Sequence, residues 1–269
     1  MNNIYSTNFM GQATTYLIHY SNRKGGCTMG NIIRFNKINQ KEEDKTMEAR
    51  KDFENLIKHL TKKPGESVQN LTPKQATEIA HEILDISKCL GYNYRGETPI
   101  EPIIEAFGLK VFGVSKLRKK ISGVIYVHGT TEKCLDYDKV IATDKNEPFE
   151  HQRFVAAHEL GHYLFDCLGN PKYRNKNHLF METYPKNNHC SEKEIRADRF
   201  AAELLMPREL FMKQYIDACC DKRYNPDGSQ IFVIEYLARY FKVKKSSIIK
   251  RIGEVLCDDN DLRFKERRT

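Results

Sequence analysis

Residues 150–165, EHQRFVAAHELGHYLF, contain the pattern from which the fold and the chemistry of this chain are best interpreted. Apolar residues recur at helical spacing, and residues 158–162, HELGH, form an HExxH motif. Residues four apart lie on one face of a helix, so both imidazoles can reach one metal ion. Glu159 follows the first histidine and is placed to take a proton from a water molecule that zinc acidifies. The motif therefore predicts a metal-dependent hydrolytic site on a helix.

The alternative interpretation is an amphipathic helix whose histidines are ordinary core or surface residues, because the short motif also arises by chance. Three small residues around the motif favour the metal site: Ala156, Ala157 and Gly161. With such short side chains, a neighbouring backbone can approach this helix closely. The remaining apolar residues are sufficient to bury the rest of the helix.

A catalytic zinc site needs a third protein ligand and keeps one position open. The extended pattern HExxHxxGxxH is absent, because Phe165 and Leu168 stand where its glycine and third histidine would be. Glu194 and Asp198 lie four apart on the next predicted helix, residues 191–206. The glutamate can bind the metal while the aspartate orients a ligand imidazole. Other candidates for the third ligand lie nearby: His178, Glu182, His189 and Glu192.

Composition excludes several classes of protein. The chain has 269 residues, of which 40% are hydrophobic and 30% are charged, as in ordinary globular proteins. No stretch approaches the run of about 18 apolar residues that a membrane helix needs. Residues 1–20 lack a basic flank followed by an apolar run, so we do not expect secretion. Eight cysteines are scattered without a CxxC pair, which indicates reduced thiols rather than a disulfide framework. We therefore expect a cytoplasmic protein without membrane contact.

The net charge of +8 is confined to the two ends of the chain. Residues 1–73 hold 11 Lys and Arg against 7 Asp and Glu, and residues 207–269 hold 14 against 10. The segment between them is neutral. A modest excess of positive charge suits nucleic acid or an acidic protein surface, and it equally suits simple solubility.

Periodicity predicts an α+β fold, mainly helical, with a zincin-like core. Three short β-branched runs at residues 109–114, 122–128 and 139–144 predict a small antiparallel β-sheet. Residues 231–241 and 246–255 predict two helices joined by a short turn, the outline of a helix-turn-helix. From these patterns we predict that the chain divides into four segments: a poorly ordered extension (1–46), a helix and linker (47–71), the peptidase core (72–206) and a C-terminal helical segment (207–269).

Three sequence motifs, in this order along the chain, resemble those of a known family. They are RFVAAHELGHYLF at residues 153–165, EIRADRFAAELLMP at residues 194–207 and LARYFKV at residues 237–243. Together with the predicted strands before them, these phrases resemble the ImmA/IrrE-type metallopeptidases over about residues 72–255. The joint match is far more specific than HExxH alone.

The resemblance implies a gluzincin-like zinc endopeptidase. In it, His158, His162 and Glu194 would bind Zn²⁺, and Glu159 would act as the general base. Asp198 stands where the family has Asn or Asp. The implied activity is site-specific cleavage of a helix-turn-helix transcriptional repressor, which relieves repression of mobile-element or stress genes.

The sequence departs from the family pattern in three places. The predicted loop between the two metal-binding helices, residues 168–190, is long and polar. Lys244 replaces the serine expected after Val243, and residues 1–71 have no counterpart in the family. Tyr184, His189 and Tyr215 remain candidates for the group that stabilises the oxyanion.

Two other functions stay open at this stage. The chain could be a DNA-binding regulator with a non-catalytic zinc site, as the C-terminal charge and the helix-turn-helix outline indicate. It could also bind its repressor without cutting it. Substitution of Glu159 distinguishes the enzyme from both, because only a peptidase needs this carboxylate.

Overall fold

The structure, a computed structural model, describes residues 40–61, 71–89, 96–115, 122–128, 139–168, 170, 178–180 and 191–266. The chain divides into two units, Met1–Asp44 and Lys45–Thr269. We describe the second unit; of the first, only residues 40–44 are among those described. Most of the predicted poorly ordered extension, residues 1–46, therefore lies outside the described residues.

The described residues form eight α-helices and four strands, and the predicted α+β class is confirmed. The helices are α1 (Gln40–Thr61), α2 (Pro73–Cys89), α3 (Ile100–Ala106), α4 (Phe149–His162), α5 (Glu192–Leu205), α6 (Arg208–Cys220), α7 (Gln230–Phe241) and α8 (Lys245–Glu266). The strands are β1 (Lys110–Val114), β2 (Gly123–His128), β3 (Val140–Asp144) and β4 (His178–Phe180). One turn of π-helix, Tyr163–Cys167, continues α4. Among these helices, none has both the length and the apolar character needed to cross a bilayer.

The four strands form one mixed sheet in the order β1-β3-β2-β4. β2 pairs antiparallel with β3 and β4, whereas β1 pairs parallel with β3. This parallel pairing corrects the expectation of an antiparallel sheet throughout. β1, β2 and β3 alternate in direction, so placing β3 beside β1 makes that pair parallel. β3 takes the central position because its residues 140–143 are all buried, as in a strand covered on both faces.

β4 is a second difference from the sequence prediction. It lies inside residues 168–190, which we expected to be a polar loop. Its Phe180 and Leu179 pair with Ile125 and Tyr126 of β2. The strand is only three residues long, too short for alternation of apolar and polar residues to be recognised in the sequence.

The helices that frame the core begin as their sequences require. α1 places Ala49, Phe53, Leu56 and Leu60 in the core, and it starts at Gln40, before the predicted start at residue 47. A capping box begins α2. The Gln75 amide N–H donates to Thr72 Oγ1 at 3.3 Å, and the Thr72 amide N–H donates to Gln75 Oε1 at 2.9 Å. α2 then packs on α5, the helix that carries Glu194.

A buried ion pair attaches α8 to α5. The guanidinium of Arg251 contacts the Glu203 carboxylate and donates to the Met206 carbonyl at 3.0 Å. The other carboxylate oxygen of Glu203 contacts His81 Nε2 at 2.6 Å and accepts from the Arg208 amide at 2.7 Å. Every described contact of Glu203 thus stabilises its ionised form, and the C-terminal helix is held firmly against the core.

We expect the stability of this protein to fall in acid partly through Glu203. Burial raises the pKa of Glu203, but Arg251, the Arg208 amide and His81 together hold it below its ordinary value of 4.5. Because the pKa is lower in the folded state, the stabilisation is complete above about pH 4.5 and disappears as the pH falls through the folded pKa. Glu203→Gln should lower the free energy of unfolding at pH 7 by about 1.5–3 kcal/mol. Urea titrations at pH 4 and pH 7 should show a smaller pH effect in the variant; an equal effect would contradict the assignment.

α7 and α8 correspond to the predicted helix-turn-helix outline. They pack on each other and are joined at Lys242, whose φ of 53° is left-handed. Val243 is buried in the turn. α8 continues to Glu266, beyond the predicted end at residue 255. A DNA-binding role for the pair stays a prediction.

Candidate metal centre

α4 and α5 approach each other closely at the HExxH motif. His158 and His162 are buried on α4, and their Nε2 atoms lie 3.0 Å apart. A Cβ atom at Gly161 would lie 3.1 Å from the Phe200 ring and 3.3 Å from Ala197 Cα. These distances are tighter than ordinary contacts. The absence of a side chain at Gly161 thus lets the backbone of α5 reach that of α4.

Glu194 reaches the two histidines from the first turn of α5. The Ser191 hydroxyl accepts a hydrogen bond from the Glu194 amide at 3.3 Å, which fixes the start of the helix. Glu194 Oε2 lies 3.2 Å from His158 Nε2, and its Oε1 lies 3.2 Å from His162 Nε2. One ligand atom from each residue lies within 4.8 Å of the others, so the three could hold a metal ion.

Asp198 contacts the outer nitrogen of the first histidine. His158 Nδ1 lies 2.9 Å from Asp198 Oδ1. An ionised carboxylate can only accept, so Nδ1 carries the hydrogen and Nε2 faces Glu194. This contact has the form of the carboxylate–histidine support that orients metal ligands.

The second histidine has an equivalent partner, Asp166, which the sequence reasoning missed. His162 Nδ1 lies 2.9 Å from Asp166 Oδ2, and the Arg196 guanidinium donates to Asp166 Oδ1 at 2.8 Å. Asp166 and Arg196 are both buried. The spacing of four residues between His162 and Asp166 was a usable signal, because it places both side chains on one helix face.

Electrostatics at this cluster favours positive charge. Burial lowers the pKa of His158, but hydrogen bonds with Asp198 and Glu194 outweigh burial and raise this pKa to about 10. Burial likewise lowers the pKa of His162, but hydrogen bonds with Asp166 and Glu194 outweigh burial, and the pKa lies above its ordinary value. Four carboxylates around two imidazoles therefore create a site that suits a cation.

The donor set fits zinc. Two imidazole nitrogens and one carboxylate oxygen are the protein ligands of one common class of catalytic zinc site. Their outer nitrogens are already bound to Asp198 and Asp166, which leaves the Nε2 atoms directed at the shared space. The residues present therefore match what the cofactor requires.

Glu159 lies beside the cluster and packs against β2. A Cβ atom at Gly123 would lie 2.7 Å from Glu159 Oε1 and 2.4 Å from Val155 Cγ1. Burial, the largest effect, raises the pKa of Glu159, and the nearby Glu194 carboxylate raises it further. His158 and His162 lower this pKa, but the net result is a rise. No residue that the structure describes forms a hydrogen bond with this carboxylate. The group is therefore available for proton transfer.

Gly123→Ala should impair catalysis without removing the metal. The added methyl group requires space that Glu159 and Val155 occupy, so Glu159 must move, whereas none of the three candidate ligands is among the nearest atoms to this position. We expect turnover of a peptide substrate to fall about 10–100-fold, since a small misplacement of a catalytic group has effects of this size. Zinc per chain should be unchanged when measured by elemental analysis.

A matched control is Gly253→Ala on α8, because a Cβ atom there would meet nothing within 4 Å. Its turnover should equal that of the wild type. Full activity in Gly123→Ala would show that Glu159 does not depend on the space beside β2.

The structure does not bring every predicted candidate to the cluster. Glu192 is exposed at the start of α5. Tyr215 lies on α6, where its hydroxyl accepts a hydrogen bond from the Gln230 amide at 3.0 Å. Glu182, Tyr184 and His189 lie outside the described residues, and of His178 only the backbone is described, in β4.

Comparison with known proteins supplies the family. No curated protein sequence is significantly similar to this chain. The family model Peptidase_M78, described as the IrrE N-terminal-like domain, matches residues 104–253. This match covers more than half of the chain, from α3 into α8, and includes both helices of the cluster. The chain therefore belongs to the Peptidase_M78 family of peptidases, as its ImmA/IrrE-like motifs predicted.

Proposed function

We propose that this protein is a cytoplasmic zinc endopeptidase that cleaves a helix-turn-helix transcriptional repressor. The observation that carries the proposal is the convergence of His158, His162 and Glu194 beside the carboxylate of Glu159, which has no hydrogen-bond partner among the described residues. Family membership supports peptide-bond hydrolysis. The ImmA/IrrE resemblance supports a repressor as the substrate, and its cleavage would relieve repression of mobile-element or stress genes.

The three ligands would hold Zn²⁺ through His158 Nε2, His162 Nε2 and the Glu194 carboxylate. Zinc, when bound, supplies a Lewis acid that polarises the scissile carbonyl and acidifies water. Asp198 and Asp166 hold the imidazoles in the tautomer that leaves Nε2 free to bind. These contacts keep the ligands oriented while substrates enter and leave.

Glu159 would move the proton. Its carboxylate oxygen accepts a proton from the attacking water and then delivers that proton to the leaving amine nitrogen. The rise in the pKa of Glu159 caused by burial makes the carboxylate a stronger base for accepting the proton of the water. The absence of a side chain at Gly123 leaves room for the Glu159 carboxylate beside β2.

The substrate would bind as an extended strand beside β2. Gly123 and Val124 pair with β3 on one side, whereas β4 covers the other side of β2 only from Ile125 to His128. Among the described residues, none pairs with the outer edge of Gly123 and Val124, the part of β2 next to Glu159. An added strand there would present its peptide bond to the site through backbone hydrogen bonds.

The test is metal-dependent cleavage. The purified chain should contain close to one zinc per molecule by elemental analysis, and it should cut the repressor encoded nearby into fragments identified by mass spectrometry. Removal of zinc with a chelator should abolish cleavage, and one equivalent of zinc should restore it. A protein that takes up no zinc on reconstitution would exclude the proposal.

The alternative of a DNA-binding regulator has less support. Three lysines of the α7–α8 region form ion pairs within the protein: Lys244 with Glu147, Lys245 with Glu235 and Lys250 with Asp198. Paired lysines present less free charge to a phosphate backbone. A variant of this chain that does not bind DNA but still cuts the repressor into the same fragments would favour the peptidase.

A further inference from the structure

The two histidines of the candidate centre are supported in the same way but by different parts of the chain. Asp166 holds His162 and is itself held by Arg196, a buried residue of α5. Asp198 holds His158, and its second oxygen accepts a hydrogen bond from Lys250 Nζ at 2.7 Å. Each histidine thus ends a chain of imidazole, carboxylate and cation.

Lys250 differs from Arg196 in its position. It lies on α8, 52 residues after Asp198, and its side chain is exposed. The next residue, Arg251, is buried in its ion pair with Glu203. Arg199 and Glu254 add a second contact between α5 and α8 at 3.4 Å. These contacts hold the backbone of α8 against α5, so the ammonium group of Lys250 is held in place beside Asp198.

The second donor decides how freely Asp198 can turn. A carboxylate bound only to His158 Nδ1 can rotate about its side-chain bonds and exchange this contact for water, because Asp198 is partly exposed. A donor on each oxygen fixes the plane of the carboxylate. The imidazole that it holds is then fixed as well.

We propose that Lys250 is a positioning residue of the metal centre and that α8 is part of the site it supports. This inference rests on the proposed metal site. Lys250 acts through Asp198 on His158 and does not touch the ligand shell. The C-terminal segment, which the sequence divides from the core at residue 207, would thus contribute to zinc binding through Asp198.

The experiment measures the zinc dissociation constant of the full chain by competition with a chromophoric chelator. Lys250→Met keeps the aliphatic stem and removes the charge, and we expect it to weaken binding about threefold to tenfold, less than direct loss of an orienting carboxylate. Lys250→Arg restores a donor and should return the constant to within about twofold of the wild type. The visible spectrum of the cobalt-substituted protein should shift in Lys250→Met and recover in Lys250→Arg.

Two controls separate positioning from general stability. Lys245→Met removes an exposed lysine of the same helix whose partner is Glu235, and it should leave both measurements unchanged. In a chain that already carries Asp198→Asn, Lys250→Met should add less than about twofold, because the effect passes through Asp198. Lys250→Gln provides a second variant if the methionine variant does not fold.

Two results would overturn the inference: Lys250→Met indistinguishable from Lys245→Met, or Lys250→Met and Asp198→Asn weakening zinc binding independently. In both cases the wild type still binds zinc, so the proposed metal site would stand. A wild type that binds no zinc would remove the metal site and this inference together.

Discussion

Glu159→Gln should lower peptidase turnover by about 10²–10⁴-fold while zinc binding stays at its wild-type level. The amide has nearly the same shape as the carboxylate but cannot accept the proton of the attacking water. Glu159 lies beside the three candidate ligands without belonging to them, so its replacement leaves the metal shell intact. Initial rates on a peptide substrate, together with zinc per chain, provide the measurement.

The matched control is Glu150→Gln, the same chemical change in the first turn of the same helix. It should leave turnover within about twofold of the wild type, as surface substitutions away from a site do. If Glu159→Gln keeps more than about one-tenth of wild-type activity, the general base has been misassigned.

Glu194→Ala should weaken zinc binding by at least about 100-fold, because a direct ligand matters more than the outer partners whose loss costs 10–100-fold. One Glu194 carboxylate oxygen lies 3.2 Å from His158 Nε2 and the other lies 3.2 Å from His162 Nε2. Among the described residues, these three form the one group that could hold a metal ion. Chelator competition on the full chain measures the change.

Glu192→Ala is the control for this prediction, since Glu192 is an exposed glutamate in the same first turn of α5. It should bind zinc as the wild type does. His189→Ala should also be neutral. Release of the metal by His189→Ala alone would contradict both the assignment of Glu194 and the family alignment beyond Phe165.

The parts of the centre that lie on a single helix could be predicted from the sequence. Spacings of four residues place His158 beside His162 and Glu194 beside Asp198, and helix geometry alone relates each pair. Relating the two pairs to each other needed the family phrases, because spacing within a helix carries no information about a neighbouring helix.

The parts that depend on tertiary contacts could not be predicted. Lys250 reaches Asp198 only because α8 packs on α5, and no periodicity in either segment indicates that pairing. Gly123 matters because β2 passes beside Glu159. The parallel pairing of β1 with β3 follows from strand order, which local residue preferences do not encode.

The backbone contact at Gly161 has a consequence for how the protein responds to its metal supply. In small zinc domains the ligands are ordered only when the ion binds, so metal loss unfolds the chain. Here Leu160, Phe200 and Ala201 of the two ligand helices are buried in the core, and the helices meet at backbone distance at Gly161. This packing predicts that most of the entropy lost in arranging the ligands is lost on folding rather than on metal binding. We therefore expect removal of zinc from the proposed site to leave the protein folded, so that metal availability would control its activity reversibly.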